Sequence, residues 1–335
     1  DKDLLNHDPA ALAAARQELA EDIAFHQAVQ FWFFSQWKAL KDHANGLGVR
    51  IIGDLPIYVS LDSADVWSER REFLLDKAGR PSRVAGVPPD YFSEEGQLWG
   101  NPLYDWAAQK RDGFGWWIRR VEGASRLFDP IRIDHFRAFE RYWSIPAGAE
   151  TAKEGQWEPG PGMDLLRVLT GWFPHITYIA EDLGLLTPEV HQLREAAGLP
   201  GMKVLEFAFD SKEPSDYQPH TYTRNTVCYT GTHDNMTMRQ WFETAPAEAV
   251  KIAADYMALT RKEGYVWGTI RTCMSSVSDR AIVQLQDYLN LGGEARMNFP
   301  GTVGSNWTWR VKKGYGSNAL AAKILELTKR YDRTV

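Results

Sequence analysis

Three short segments place acids where a strand would end. The first is Ile131-Arg132-Ile133-Asp134-His135. Side chains alternate across a strand, so Arg132 and Asp134 share one face and Ile131 and Ile133 the other. The isoleucine face suits a covering layer of helices, and the Arg/Asp face suits a barrel interior. An arginine two residues before a carboxylate favours its ionised form. A carboxylate nucleophile needs that, although a structural ion pair uses the same pattern. The second segment, Tyr178 to Gly184, sets Glu181 and Asp182 at a strand mouth. A carboxylic acid held among apolar and aromatic groups has a raised pKa and can donate a proton near neutral pH. Alternation does not choose between Glu181 and Asp182, and Asp182 also suits a helix N-cap. The third segment is Tyr229 to Asn235. Gly231 permits a sharp turn, after which His233 and Asp234 project over the strand end. Capping of a helix from Asn235 is the competing use of Asp234.

Two carboxylates flanking a glycosidic bond, ~5–5.5 Å apart, make a retaining glycoside site. One attacks the anomeric carbon. The other protonates the leaving oxygen and later deprotonates the incoming acceptor. Composition agrees with a sugar partner: aromatic residues make up 13% of the chain, with 14 Trp. Flat aromatic faces bury well against the C–H faces of sugar rings, and equally well in a large core.

The elements that must position these acids read as alternating strands and helices. Asp8-Pro9 supplies an N-cap acid and a proline for the first helical position. The composition predicts helix from Ala10 to about Asn45, in one or two pieces, and then a short buried strand over Val49–Gly53. Further strands are expected near 131, 176, 202 and 226, and a last one near Ala295–Asn298. Helices are expected over Phe114–Phe128, Met163–Trp172, Pro188–Gly198, 246–290 and Ser317–Tyr331. Strands separated by helices imply a parallel sheet, and acid-bearing turns after successive strands are how a (β/α)8 barrel builds its active site. No Gly-x-Gly-x-x-Gly follows the first strand, so a dinucleotide fold has little support. The Gly- and Pro-rich segment 79–106 has no clear period. Its length and its aromatics mark it as a functional loop.

With 335 residues, 44 acidic against 38 basic, the formal charge is −6. That sign disfavours nucleic acid and polybasic membrane binding. No apolar run approaches the ~20 residues that cross a bilayer, and no secretory leader is visible. Two cysteines make neither a disulfide framework nor a zinc site. The expectation is a cytoplasmic protein without metal or cofactor.

Several runs carry a resemblance. Gly53-Asp54-Leu55-Pro56-Ile57-Tyr58, Asp62 to Trp67, Gly86 to Ser93, Trp99 to Tyr104, Arg132 to Arg137, Ala180 to Gly184 and Thr232 to Asn235 are similar to those of amylomaltases. These are the 4-α-glucanotransferases, or disproportionating enzymes, of the α-amylase superfamily. The similarity covers nearly the whole chain, and the Pro-Pro-Asp-Tyr-Phe run is highly specific. The resemblance implies malto-oligosaccharide and α-glucan substrates, with Asp134 as nucleophile, Glu181 as general acid/base and Asp234 as a third acid that binds the sugar hydroxyls. It implies donor-sugar contacts from Arg132 and His233, with Asp54 supporting Arg132. It also implies overhanging aromatics at Tyr91 and Phe92, an acceptor platform at Trp99 and an acceptor-side contact at Asn298. The superfamily's usual histidine in the first of these runs is absent, with Val59 and Ser60 near its place.

The fold that follows is a (β/α)8 TIM barrel of the α-amylase type occupying 1–335, with the 79–106 loop inserted within it. Six strands do not close an eight-strand barrel. The expectation is therefore a C-terminal portion of the catalytic barrel that lacks its first two strands. The oligomeric state is not legible.

Overall fold

Asp8 accepts the N–H groups of Ala10 and Ala11 while Pro9 takes the first helical position, so a helix runs over Pro9–Glu18. It breaks at Leu19 and resumes as Ala20–Gly46. The structure, a computed structural model, describes residues 1–89, 93–184, 186–209 and 215–334. Its strands, numbered along the chain, are β1 Gly53–Leu55, β2 Arg83–Val87, β3 Gln97–Pro102, β4 Ile131–Ile133, β5 Arg141–Pro146, β6 Gln156–Pro159, β7 Tyr178–Ala180, β8 Gly201–Val204, β9 Thr226–Tyr229 and β10 Arg280–Ile282. The chain divides into two compact units, Asp1–Leu199 and Pro200–Val335.

The first unit holds a parallel sheet ordered β1-β4-β7. The helices Gly115–Leu127 and Gly162–Trp172 lie between its strands in sequence, and Pro188–Ala196 follows β7. β4 and β7 are buried throughout, as strands covered on both faces are, while β1 is exposed at Asp54. Ile131, Ile133, Leu165, Leu166, Leu169, Phe136 and Trp117 are buried in one cluster. Gly53 opens β1 because a Cβ there would lie 1.9 Å from the Phe128 ring. The first strand thus starts later than the predicted Val49.

The segment 79–106 is not a loop throughout. β2 and β3 run through it and join β5 and β6 in an antiparallel sheet ordered β3-β2-β5-β6. A register shift between Val84 and Gly86 interrupts the β2–β3 pairing, and a Cβ at Gly86 would lie 2.3 Å from the Gln97 carbonyl. Such an irregularity, with glycine and proline inside the strands, removes the alternation by which strands are recognised.

The second unit holds a parallel sheet ordered β10-β9-β8. Phe209, Met238, Trp241, Ile270, Met274 and Leu327 form its main cluster. The strand from 202 ends at Val204 and tightens into a 3-10 turn, Leu205–Phe207. The strand expected near 295 lies instead at Arg280–Ile282, paired with Val227–Tyr229. Gly293–Ala295 is a 3-10 turn. Among the described residues, no helix is long and apolar enough to cross a membrane.

Candidate active site

In the first unit, Asp54 of β1 and Arg132 of β4 stand directly opposite each other in register. Arg132 Nη1 lies 2.5 Å from Asp54 Oδ2 and 3.1 Å from Asp134 Oδ1, and Nη2 lies 3.8 Å from Glu181 Oε1. Asp134 and Glu181 leave the carboxyl ends of β4 and β7, where the Asp134 N–H donates to the Leu55 carbonyl and the Glu181 N–H to that of Ile133. Three carboxylates, one from each of three neighbouring parallel strands, thus meet around one guanidinium. Arg132 is nearly buried, which opposes its charge, yet the carboxylates of Glu181, Asp54 and Asp134 outweigh burial and hold its pKa above the ordinary value.

Glu181 and Asp182 go to different partners. Asp182 is buried in an ion pair with Arg194 of the following helix, at 3.0 Å. That helix takes Thr187 as its N-cap, so Asp182 is not the cap. Glu181 faces the Arg132 cluster. Burial pushes its carboxyl up to about 8, against the pull of Arg132 and with the help of the Asp134 charge. Glu181 Oε2 also accepts the backbone N–H of His135 at 2.7 Å. His135 sits in the left-handed region at φ 53°, and the edge of its ring meets Trp99 at 4.8 Å between centroids. Burial, with the charge of Arg137, pushes the His135 imidazole down to about 3, so the ring is neutral at neutral pH.

Trp99 lies on β3, 38% exposed, beside Tyr58 as well as His135. Its indole is therefore partly open beside the residue that follows Asp134. Tyr91 and Phe92 lie outside the described residues.

In the second unit, the turn after β9 carries His233 and Asp234. The helix Met238–Thr244 is capped by Thr237, which frees Asp234 from the capping use. Asn298 Nδ2 donates to Asp234 Oδ1 at 2.6 Å, Arg296 Nη2 donates to the Asp234 carbonyl at 2.8 Å, and His233 Nε2 lies 3.3 Å from Asp234 Oδ2. The Trp307 ring lies 5.0 Å from that of His233, tilted by 41°. Glu206, after β8, accepts the Met236 N–H at 3.4 Å, and burial pushes its carboxyl up to about 7. Among the described residues, no three His, Cys, Asp or Glu side chains group so as to hold a metal ion.

Acids at the ends of parallel strands, with Glu181 and Glu206 held by burial well above the usual carboxylate range, suit glycosyl chemistry by two carboxylates. The sequence model of a family described as 4-alpha-glucanotransferase matches residues 1–315. The chain belongs to the 4-alpha-glucanotransferase family. It is 50% identical over 320 residues to the 4-alpha-glucanotransferase of Clostridium butyricum, covering 95% of this chain and 66% of the relative. To that of Thermus thermophilus it is 48% identical, covering 98% of this chain and 67% of the relative. A solved structure, amylomaltase from Streptococcus agalactiae in complex with acarbose, matches with TM-score 0.95 at 41% identity, over 99% of this chain and 67% of that one. The chain thus shares the α/β architecture of that amylomaltase and spans about two thirds of the length of the relatives it matches.

Within this 4-alpha-glucanotransferase family member, the sequence did not single out His135, Arg296, Trp307 or Glu206. His135 stood inside a quoted motif, and Arg296 lies two residues before Asn298. Their parts in the geometry are a backbone N–H and a carbonyl contact, which residue type does not announce.

Proposed function

We propose that the chain performs retaining transfer of an α-1,4-glucan segment from a donor malto-oligosaccharide or dextrin to the 4-hydroxyl of an acceptor glucan or glucose. Asp134 attacks the anomeric carbon as the glycosidic C–O bond breaks, and Glu181 gives its proton to the departing 4-oxygen. The acceptor 4-hydroxyl then loses its proton to Glu181 and attacks the same carbon, releasing Asp134. Asp54 and Arg132 hold the nucleophile, and Asp234 with His233 binds donor hydroxyls. Trp99, Asn298, Tyr91 and Phe92 serve the acceptor. The observation that carries this reading is the Arg132 cluster. It sets an acid raised to about 8 beside a carboxylate paired at 3.1 Å with the same arginine.

We also read β1, β4, β7, β8, β9 and β10 as six strands of a (β/α)8 barrel of the α-amylase type. Two parallel sheets and the 0.95 TM-score to an amylomaltase support this. We read 79–106 as its active-site insertion, which Trp99 beside His135 supports.

Incubation of the full-length protein with maltotriose tests the activity. A transferase gives glucose together with maltopentaose and longer sugars. A hydrolase gives only shorter products, and a non-catalytic glucan binder leaves maltotriose intact; either result ends the proposal.

A further inference from the structure

We infer that Asp287 is a positioning residue for Asp234, because its carboxylate ties together both ends of the turn that carries His233 and Asp234. The inference rests on the reading of Asp234 as the third acid. Strand β9 ends at Tyr229 and the next helix begins at Met238. At one end of the intervening turn, the buried Thr230 hydroxyl donates to Asp287 Oδ2 at 2.6 Å. At the other, the Met238 N–H donates to Asp287 Oδ1 at 2.8 Å. Asp287 itself is 2% exposed. It is delivered by the short helix Leu285–Tyr288, which follows β10, and β10 is in turn paired with β9. The neighbouring Gln284 Nε2 donates to the Met236 carbonyl at 3.0 Å, so the same segment also holds the middle of the turn.

Nothing about Asp287 touches the proposed substrate, so its part is to fix where residues 231–237 run. Hydrogen bonds to an ionised acceptor are shorter and stronger than neutral ones, and a buried donor left without its acceptor costs more than the bond was worth. Removing the tie should therefore let the turn shift. A displacement of about 1 Å at a catalytic group can cost about a hundredfold in rate.

The test is a double-mutant cycle with Asp234→Asn. In the parent, Thr230→Val is expected to lower kcat on maltotriose about tenfold and Asp287→Ala about a hundredfold. KM should change less than about threefold, since the lost interaction belongs to the transition state. Asp287→Asn, which keeps an acceptor for the Met238 N–H, should recover much of the loss. In the Asp234→Asn background, the same changes should cost about twofold or less, because the group they misplace is already disabled. Should Asp287→Ala fail to fold, Thr230→Val carries the test.

Equal losses in both backgrounds would make Asp287 merely structural and overturn the inference, as would a folded Thr230→Val variant with parental kcat. Calorimetric titration with acarbose runs the same cycle without turnover. A parent that makes no longer sugars from maltotriose sinks the functional reading, while additivity in acarbose affinity sinks this inference alone.

Discussion

Asp54 Oδ2 and Arg132 Nη1 meet at 2.5 Å across two adjacent parallel strands, in direct register. The same guanidinium reaches Asp134 and Glu181. One nearly buried cation therefore stands among three carboxylates, and without it their mutual repulsion would go uncompensated. Arg132 is buried and Glu181 largely so, but Asp54 and Asp134 are more than a third exposed, so Arg132→Met should lower the unfolding free energy in denaturant titration by less than the about 3–5 kcal/mol that breaking a fully buried pair costs. The substitution also removes a charge that holds the Glu181 carboxyl down. Its pKa should rise further, and the alkaline limb of kcat/KM should move to higher pH. Arg132→Lys keeps the charge but not the fork, and should fall between parent and Arg132→Met in both measurements.

On the proposed mechanism, Glu181 sets the alkaline limb itself. Its folded pKa of about 8 lies above the ordinary carboxylate value, with burial as the main cause. A raised carboxylate pKa means that the protonated form is favoured. The stability it contributes is whole below the ordinary glutamate pKa and is lost as pH rises through about 8. The proton needed by the leaving oxygen is lost over the same rise, so kcat/KM on maltotriose should fall about tenfold per pH unit above about 8. Glu181→Gln should abolish that limb along with most of the activity. An α-glucosyl fluoride donor, whose leaving group needs no proton, should react far better with the Gln variant than maltotriose does. Equal loss with both donors would remove Glu181 from the acid role.

Asp134 lies at the other side of the same guanidinium, with 38% of its side chain exposed. Asp134→Asn keeps the shape and removes the charge of the proposed nucleophile. Turnover of maltotriose should fall by about 10⁴-fold or more, while circular dichroism and the melting midpoint stay near those of the parent. Retained turnover would assign the covalent step elsewhere.

The acids were legible because alternation is short-ranged: Ile131-Arg132-Ile133-Asp134 declares its two faces without reference to anything else. Glu181 and Asp182 could not be separated that way. Their difference lies in partners, Arg132 from another strand for one and Arg194 from the next helix for the other. The capping uses suggested for Asp182 and Asp234 fell to Thr187 and Thr237, residues as apt for the position but nearer to where each helix begins. The antiparallel sheet stayed hidden because β2 is irregular at Gly86 and pairs with β5, far along the chain. β10 is three half-buried residues that become a strand only against β9. Asp287 had no local signal, since Thr230 is brought to it by the fold alone.

Trp99 bears on the choice between transfer and hydrolysis. In the proposed double displacement, water at its bulk concentration competes with a sugar hydroxyl for the glycosyl group on Asp134. The sugar prevails only if it is held in attack geometry, where effective molarities reach ~10⁵ M or more. Trp99 offers a partly exposed indole beside His135, the residue that follows Asp134, and stacking on such a face orients a pyranose ring. Trp99→Ala removes the face and opens room for water. Its total turnover of maltotriose should fall, and a larger share of the remainder should be hydrolysis. Reducing-end assays separate the two outcomes, because transfer conserves the number of reducing ends and hydrolysis creates new ones. The ratio of new reducing ends to maltopentaose should rise several-fold in Trp99→Ala. An unchanged ratio would mean that acceptor placement is governed elsewhere, and that the indole serves only to pack against Tyr58 and His135.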